Sequence, residues 1–184
     1  MKTKLIEEHI RYEGWQLSPH WIYKNFKIQG DTIVAFIGEC EVKLTEMVDI
    51  EDVINNEPIY SKSMLSFISE QFNIGLVEGV FRQRLLICII KEALEKRGFI
   101  VTRNGDDLFF ENKKLTVSIA TKSTTSILIH TGINIDSANA PVNASGLTSE
   151  LGINDITSFA EEIMNKYSQE IDDIIMASTK VRGV

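Results

Sequence analysis

The chain has 184 residues, 43% of them hydrophobic and 24% charged, with a formal net charge of −7. That length supports a buried core and most simply one domain, residues 1–184, while the acidic balance argues against nucleic acid or an anionic membrane as partner. The longest apolar run, Leu85–Ile90, falls far short of the roughly 18 residues that cross a bilayer. The N-terminal MKTKLIEEHI has no apolar stretch behind its basic start, so a cytoplasmic protein is expected.

Residues 1–45 read as strands and turns. Ile33–Ile37 is a short apolar strand bounded by Gly30-Asp31 and Gly38. Upstream, Tyr12, Trp15 and Trp21 cluster with His20 around turn residues, either lining a pocket or packing over a sheet edge. Cys40 and Cys88 are too few for a disulfide scaffold and lack metal-ligand spacing. Glu39 and Glu41 flank Cys40 and disfavour its thiolate.

Met47–Asn55 reads as a short helix with Asp49 and Glu51 near its positive end, stopped by Pro58. Ser61 then caps an expected second helix in which Met64, Leu65, Phe67, Ile68 and Phe72 form an apolar stripe. Phe81–Arg97 is the best helical pattern in the chain, closed by Gly98. Arg82 and Arg84 stand near its start, where cations are unfavourable. An anion bound there removes the conflict, and so does pairing with an acid such as Glu78.

Four strand signals follow: Phe99–Thr102, Leu108–Phe110, Leu115–Ala120 and Ser126–Ile135. The turns between them predict an antiparallel meander from Asp107 to Ile135. Alternation puts Leu115, Val117 and Ile119 on one side of their strand and Lys114, Thr116, Ser118 and Ala120 on the other. In the last strand Ile127, Ile129, Ile133 and Ile135 oppose Ser126, His130, Gly132 and Asn134. The apolar sides are expected on the helices. The small polar sides lack the Lys, Glu and Arg of bare surface, so they are expected to wall a cleft. Ser137–Gly152 is a loop long enough to be functional, and Ser158 with Glu161 forms a capping box for a C-terminal helix.

No nucleophile elbow, P-loop or dinucleotide fingerprint is present. Asp106-Asp107 can hold magnesium or simply be solvated, Lys114 can reach a phosphate or carboxylate, and His130 can be structural or a proton carrier. In order, however, these residues form a pattern. RNGDDLFFENKKLTVSIA, then ILIHTGINI, after a helix ending ALEKRGF, resembles the catalytic core of biotin and lipoate protein ligases. Arg103 falls at that family's first basic position, Asp106-Asp107 at its Asn-Asp, Lys114-Leu115 at its Lys-Leu and Gly132-Ile133-Asn134 at its Gly-Ile-Asn. Through VEGVFRQRLL, GDDLFFENKKLTVSIAT and APVNASGL, nearly the whole chain also resembles a family known by a domain-of-unknown-function label. That family is grouped by fold with these ligases and with class II aminoacyl-tRNA synthetase cores.

The resemblance implies an α+β fold: a mixed, largely antiparallel sheet with helices on one face and a ligand cleft on the other. It implies ATP-dependent activation of a small carboxylic acid, with ATP and magnesium as co-reactants. Lys114 is then catalytic, lying between the substrate carboxylate and the α-phosphate, with Asp107 beside it. The expected substrate-binding residues are Arg82, Arg84, Arg103, Asp106, Ser118, His130, Gly132 and Asn134. The departures are specific: the ligases' glycine- and arginine-rich loop has no counterpart, and Asn104-Gly105 replace the motif's aromatic and proline. They favour the alternative, a non-catalytic module holding a carboxylate or nucleotide on the Ser118, His130 and Asn134 face. The expected partner is a small molecule, with a homodimer as the candidate assembly.

Overall fold

The computed structural model describes residues 1–138 and 140–183. Its elements in chain order are β1 (Lys2–Leu5), α1 (Trp21–Phe26), β2 (Thr32–Val42), α2 (Ile50–Asn55), β3 (Ile59–Phe72) and α3 (Leu76–Glu95). They continue with β4 (Val101–Asn104), β5 (Asp107–Phe110), β6 (Lys113–Lys114), β7 (Thr116–Lys122), β8 (Ser126–Asp136) and α4 (Ile156–Ser178). The main sheet has the order β1-β2-β3-β8-β7, with β1 parallel to β2 and every other pairing antiparallel. Strands β4-β5-β6 form a second, small sheet. The architecture is mixed α+β with an antiparallel-dominated sheet.

Each face of the main sheet buries its own core. On one side Ile33, Ala35, Leu65, Phe67 and Ile133 meet Leu86 and Ile90 of α3 and Phe159, Ile163 and Tyr167 of α4. On the other, Val34, Phe36, Met64, Ile68 and Leu128 are covered by Tyr12, Trp21 and Ile22 from the N-terminal segment. Full burial of one such side chain stabilises by about 1.5–3 kcal/mol, so both layers matter.

That two-sidedness overturns one expectation. Ser61–Phe72 is most of a long strand, not a helix. A central strand covered on both faces carries apolar residues at both parities, and its run then mimics a helical stripe. The predicted meander is also split: β7 and β8 belong to the main sheet while β5 and β6 leave it. The break falls at Leu115, whose amide bonds to the Leu108 carbonyl. The C-terminal helix begins earlier than the Ser158–Glu161 box, because the Asp155 side chain accepts from the Ser158 amide and acts as cap. Gly98 does take a positive φ just past α3, as the C-terminal turn of that helix requires.

Candidate functional site

The outer ends of β7 and β8, the hairpin around Asp107 and the segment from Glu46 to Tyr60 enclose a cavity of about 310 Å³. Its apolar lining includes Val42, Ile59, Met64, Val117 and Ile119. Tyr12, His130 and Asn134 add buried polar atoms, and Ala140, Pro141, Val142 and Ala144 close one side. Seven carboxylates line it: Glu46, Asp49, Glu51, Asp52, Glu57, Asp106 and Asp107. Lys114 is the only lysine or arginine in the lining among the described residues.

Lys114 ends β6 and is pinned by backbone contacts. Its amide donates to the Asn143 carbonyl, its carbonyl accepts from the Ser145 amide, and it forms an isolated parallel bridge with Ala144. Its ammonium lies 3.0 Å from Asp107 Oδ2. Burial raises the Asp107 carboxyl above the usual carboxylate range even though Lys114 pulls it down, and neighbouring Asp106 adds to the rise. Burial, reinforced by Asp49, likewise raises Asp52 against the pull of Lys114. The lysine therefore sits in a surplus of negative charge.

His130 is 3% exposed and stacks on Tyr12, ring centroids 3.8 Å apart and nearly parallel. Its Nε2 lies 3.3 Å from Ser66 Oγ. Burial depresses its pKa to about 3, so the ring is neutral near pH 7. Asn134 donates to the Lys114 carbonyl at 3.4 Å and ties β8 to the lysine's own backbone. Cys40 is buried nearby in the same layer, its thiol pushed up to about 12 by burial and by Glu39.

The register of β7 corrects the expected cleft wall. Val117 faces Gly132 and Ile119 faces His130, so these apolar residues stand on the cavity side. Thr116 and Ser118 pair with Ile133 and Thr131 and bond toward the helices, though Ser118 also stands in the cavity lining as expected. Thr116 Oγ1 accepts from the Leu108 amide at 2.8 Å, while Ser118 Oγ accepts from Gln83 of α3 at 3.1 Å. The error has a physical source: alternation assigns residues to two faces, but only strand pairing says which face is which.

The remaining predicted residues divide. Asp107, Lys114, His130 and Asn134 come together around the cavity, with Asp106 at its rim. Gly132 lies between them, where an added Cβ would sit 2.2 Å from Met64 Sδ. Arg82 does not reach the cavity: it is buried against Gln71 and Glu78, in a chain that continues from Gln71 to the Tyr167 hydroxyl. Arg84 reaches Asp106 at 3.3 Å from outside the lining. Arg103 is exposed and donates to the Gly105 carbonyl. Each member of the Asp106-Asp107 pair has its own partner. Asp106 is held by Arg84 and Gln83, Asp107 by Lys114, and no group of three or more His, Cys, Asp or Glu side chains converges among the described residues. Loop Ser137–Gly152 contributes Ala140, Pro141, Val142 and Ala144 to the wall, and its Asn139 lies outside the described residues.

Two contributors are not singled out by the sequence. Tyr12 was one of several clustered aromatics, and only the fold separates it from Trp21, which packs in the core, and Trp15, which is exposed. The acidic segment from Glu46 to Glu57 carries a signal in its charge density, but that density also suits the start of a short helix.

The family described as "Domain of unknown function (DUF366)" matches residues 1–182. This chain belongs to it. An uncharacterised protein of Methanocaldococcus jannaschii is 40% identical over 180 residues, covering 95% of this chain and 81% of that one. The structure of a protein of unknown function from Pyrococcus horikoshi superposes with a TM-score of 0.93 at 38% identity, covering 100% and 98% of the two chains. A biotin protein ligase from Aquifex aeolicus in complex with biotin and ATP gives a TM-score of 0.63 at 15% identity, over 92% of this chain and 70% of that one. A lipoate-protein ligase A bound with ATP gives 0.58 at 13% identity, over 94% and 86%. At those identities the likeness to the ligases is one of fold. The DUF366 chain thus has a biotin/lipoate ligase-like architecture.

Proposed function

We propose that this protein binds a small carboxylic acid in the cavity and activates it with ATP. The observation that carries the reading is the position of Lys114, the cation of the lining, held by β6 and Asn134 beside a half-apolar cavity. An acid's chain lies over Val117, Ile119 and Met64, and its carboxylate takes the place beside the Lys114 ammonium that Asp107 now shares. In the reaction, a carboxylate oxygen attacks the α-phosphorus, an acyl-phosphate bond forms and pyrophosphate leaves. Lys114 stabilises the charge that builds on the α-phosphoryl oxygens. The structurally similar biotin and lipoate ligases, described with biotin and ATP, support this reaction class. In this reading magnesium accompanies the nucleotide phosphates.

A second reading has its own support. Seven carboxylates against one lysine leave no further cation in the described lining for a triphosphate, which favours acid binding without activation.

Thermal-shift titrations with small carboxylic acids, with and without ATP and magnesium, separate the two. Under the enzymatic reading an acid stabilises the protein, ATP-magnesium adds to the shift, and the acid drives exchange of labelled pyrophosphate into ATP. The Lys114→Ala variant loses the acid shift by roughly tenfold or more in affinity. Acid binding with no response to ATP supports the module. An acid shift unchanged in Lys114→Ala refutes both.

A further inference from the structure

The charge of this molecule is gathered at one place. The whole chain carries −7, and the cavity lining, with seven carboxylates against one ammonium, carries −6 of it. An acid entering alone meets a field of its own sign, focused by low-dielectric walls. Part of that charge is met internally, since Lys114 pairs with Asp107 and Arg84 with Asp106. Asp52 is different: Asp49, Glu57 and Asp107 all press on it, and among the described cations only Lys114 relieves it.

A separate observation calls for an occupant. Tyr12 lines the cavity at 4% exposure, and its hydroxyl makes no hydrogen bond among the described residues. His130, at 3% exposure, places Nε2 on Ser66 and leaves Nδ1 without a partner among the described residues. Both residues line the cavity, so a donor group placed in it can reach a phenol oxygen and an imidazole nitrogen. A phenol oxygen and a neutral imidazole nitrogen both accept hydrogen bonds, and an ammonium group brings three donors.

We infer that the acid taken by this cavity also carries a protonated amine. The inference rests on the carboxylate-binding reading for Lys114, but the amine stands on Asp52, Glu57, Tyr12 and His130. The ammonium offsets the uncompensated carboxylates of the Asp49–Glu57 segment, and the carboxylate meets Lys114. Such a molecule is formally neutral, which is why an acidic cavity and a single lysine suit it together.

Isothermal titration of the full chain against three matched series tests this: 6-aminohexanoate and lysine, which carry both groups; cadaverine, which has amines only; and hexanoate, which has the carboxylate only. The expected result is binding of an amine-bearing acid at least roughly tenfold tighter than hexanoate. The Asp52→Asn/Glu57→Gln double variant, altered at residues the fold does not bury, is expected to erase that preference. Equal or tighter binding of hexanoate overturns the inference while leaving the carboxylate reading intact. Cadaverine binding as well as the amino acids do, with Lys114→Ala neutral, keeps the amine and removes the carboxylate reading. An unchanged preference in the double variant, or no binding by any amine up to millimolar concentration, overturns the inference.

Discussion

Strand β8 faces two different environments on alternate residues. Toward α3 and α4, Ile127, Ile129 and Ile133 are fully buried, and the polar groups of that side close on one another. Ser118 meets Gln83 and Thr131, Arg82 meets Gln71, and Gln71 meets Tyr167. Toward the cavity, His130 and Asn134 are as deeply buried, yet Tyr12 and His130 keep unused hydrogen-bonding capacity. One face is all but finished chemically, Arg84 Nε excepted, and the other opens its polar atoms onto the cavity. The difference teaches that burial alone does not mark a core; how completely the polar atoms are matched does.

The largest effect should fall on the finished face. Phe159→Ala removes a fully buried ring from between the sheet and α3, and about 3–5 kcal/mol of unfolding free energy should be lost in urea titration. A loss below about 1 kcal/mol would mean that this side is as loosely filled as the other.

On the cavity side, His130 makes a pH-dependent contribution. Its native pKa of about 3 lies below the unfolded value near 6.5, so the unfolded chain binds the extra proton. Stability is therefore full above about pH 6.5 and falls as pH drops, by about 3 kcal/mol at pH 4. Denaturation midpoints for the native protein and for His130→Gln should converge as pH falls, because the variant lacks this term. Parallel curves would show that the imidazole is not held neutral.

Gly132→Ala probes the floor between the two environments. Its Cβ would meet Met64 Sδ at 2.2 Å, and overpacking of this kind costs about 1–3 kcal/mol, read as a lowered Tm. A neutral result would show that Met64 swings freely into the cavity. Arg103→Ala should change least, within about 0.5 kcal/mol and with ligand affinity unchanged, because the side chain is exposed and bonds only within its own turn.

Much of the fold was legible in the residues. α3 and α4 have long apolar stripes, and β2, β5, β7 and β8 have clear strand composition between turn signals. The failure at Ile59–Phe72 came from burial on both sides, which erases the alternation that a one-sided strand shows. In the candidate site, Asp107, Lys114, His130 and Asn134 are legible through strand alternation and the resemblance to the ligase core taken together. Ser118 stands in the lining while bonding toward α3, and Arg82 is taken up by Glu78, the pairing its position on α3 already offers, and by Gln71 of β3, which only the fold brings near. Tyr12 was the hardest to assign to the site. It precedes His130 by more than a hundred residues, and only the closed sheet lays one ring upon the other.

The bridge between Lys114 and Ala144 has a mechanical consequence. Two flanking backbone hydrogen bonds make the lysine and the small-residue loop a single splint. A ligand that presses on Pro141 or Val142 would tilt the same strip of backbone that aims the ammonium. Shape sensed at the wall is thereby converted into the direction of a charge, with no hinge required between the two.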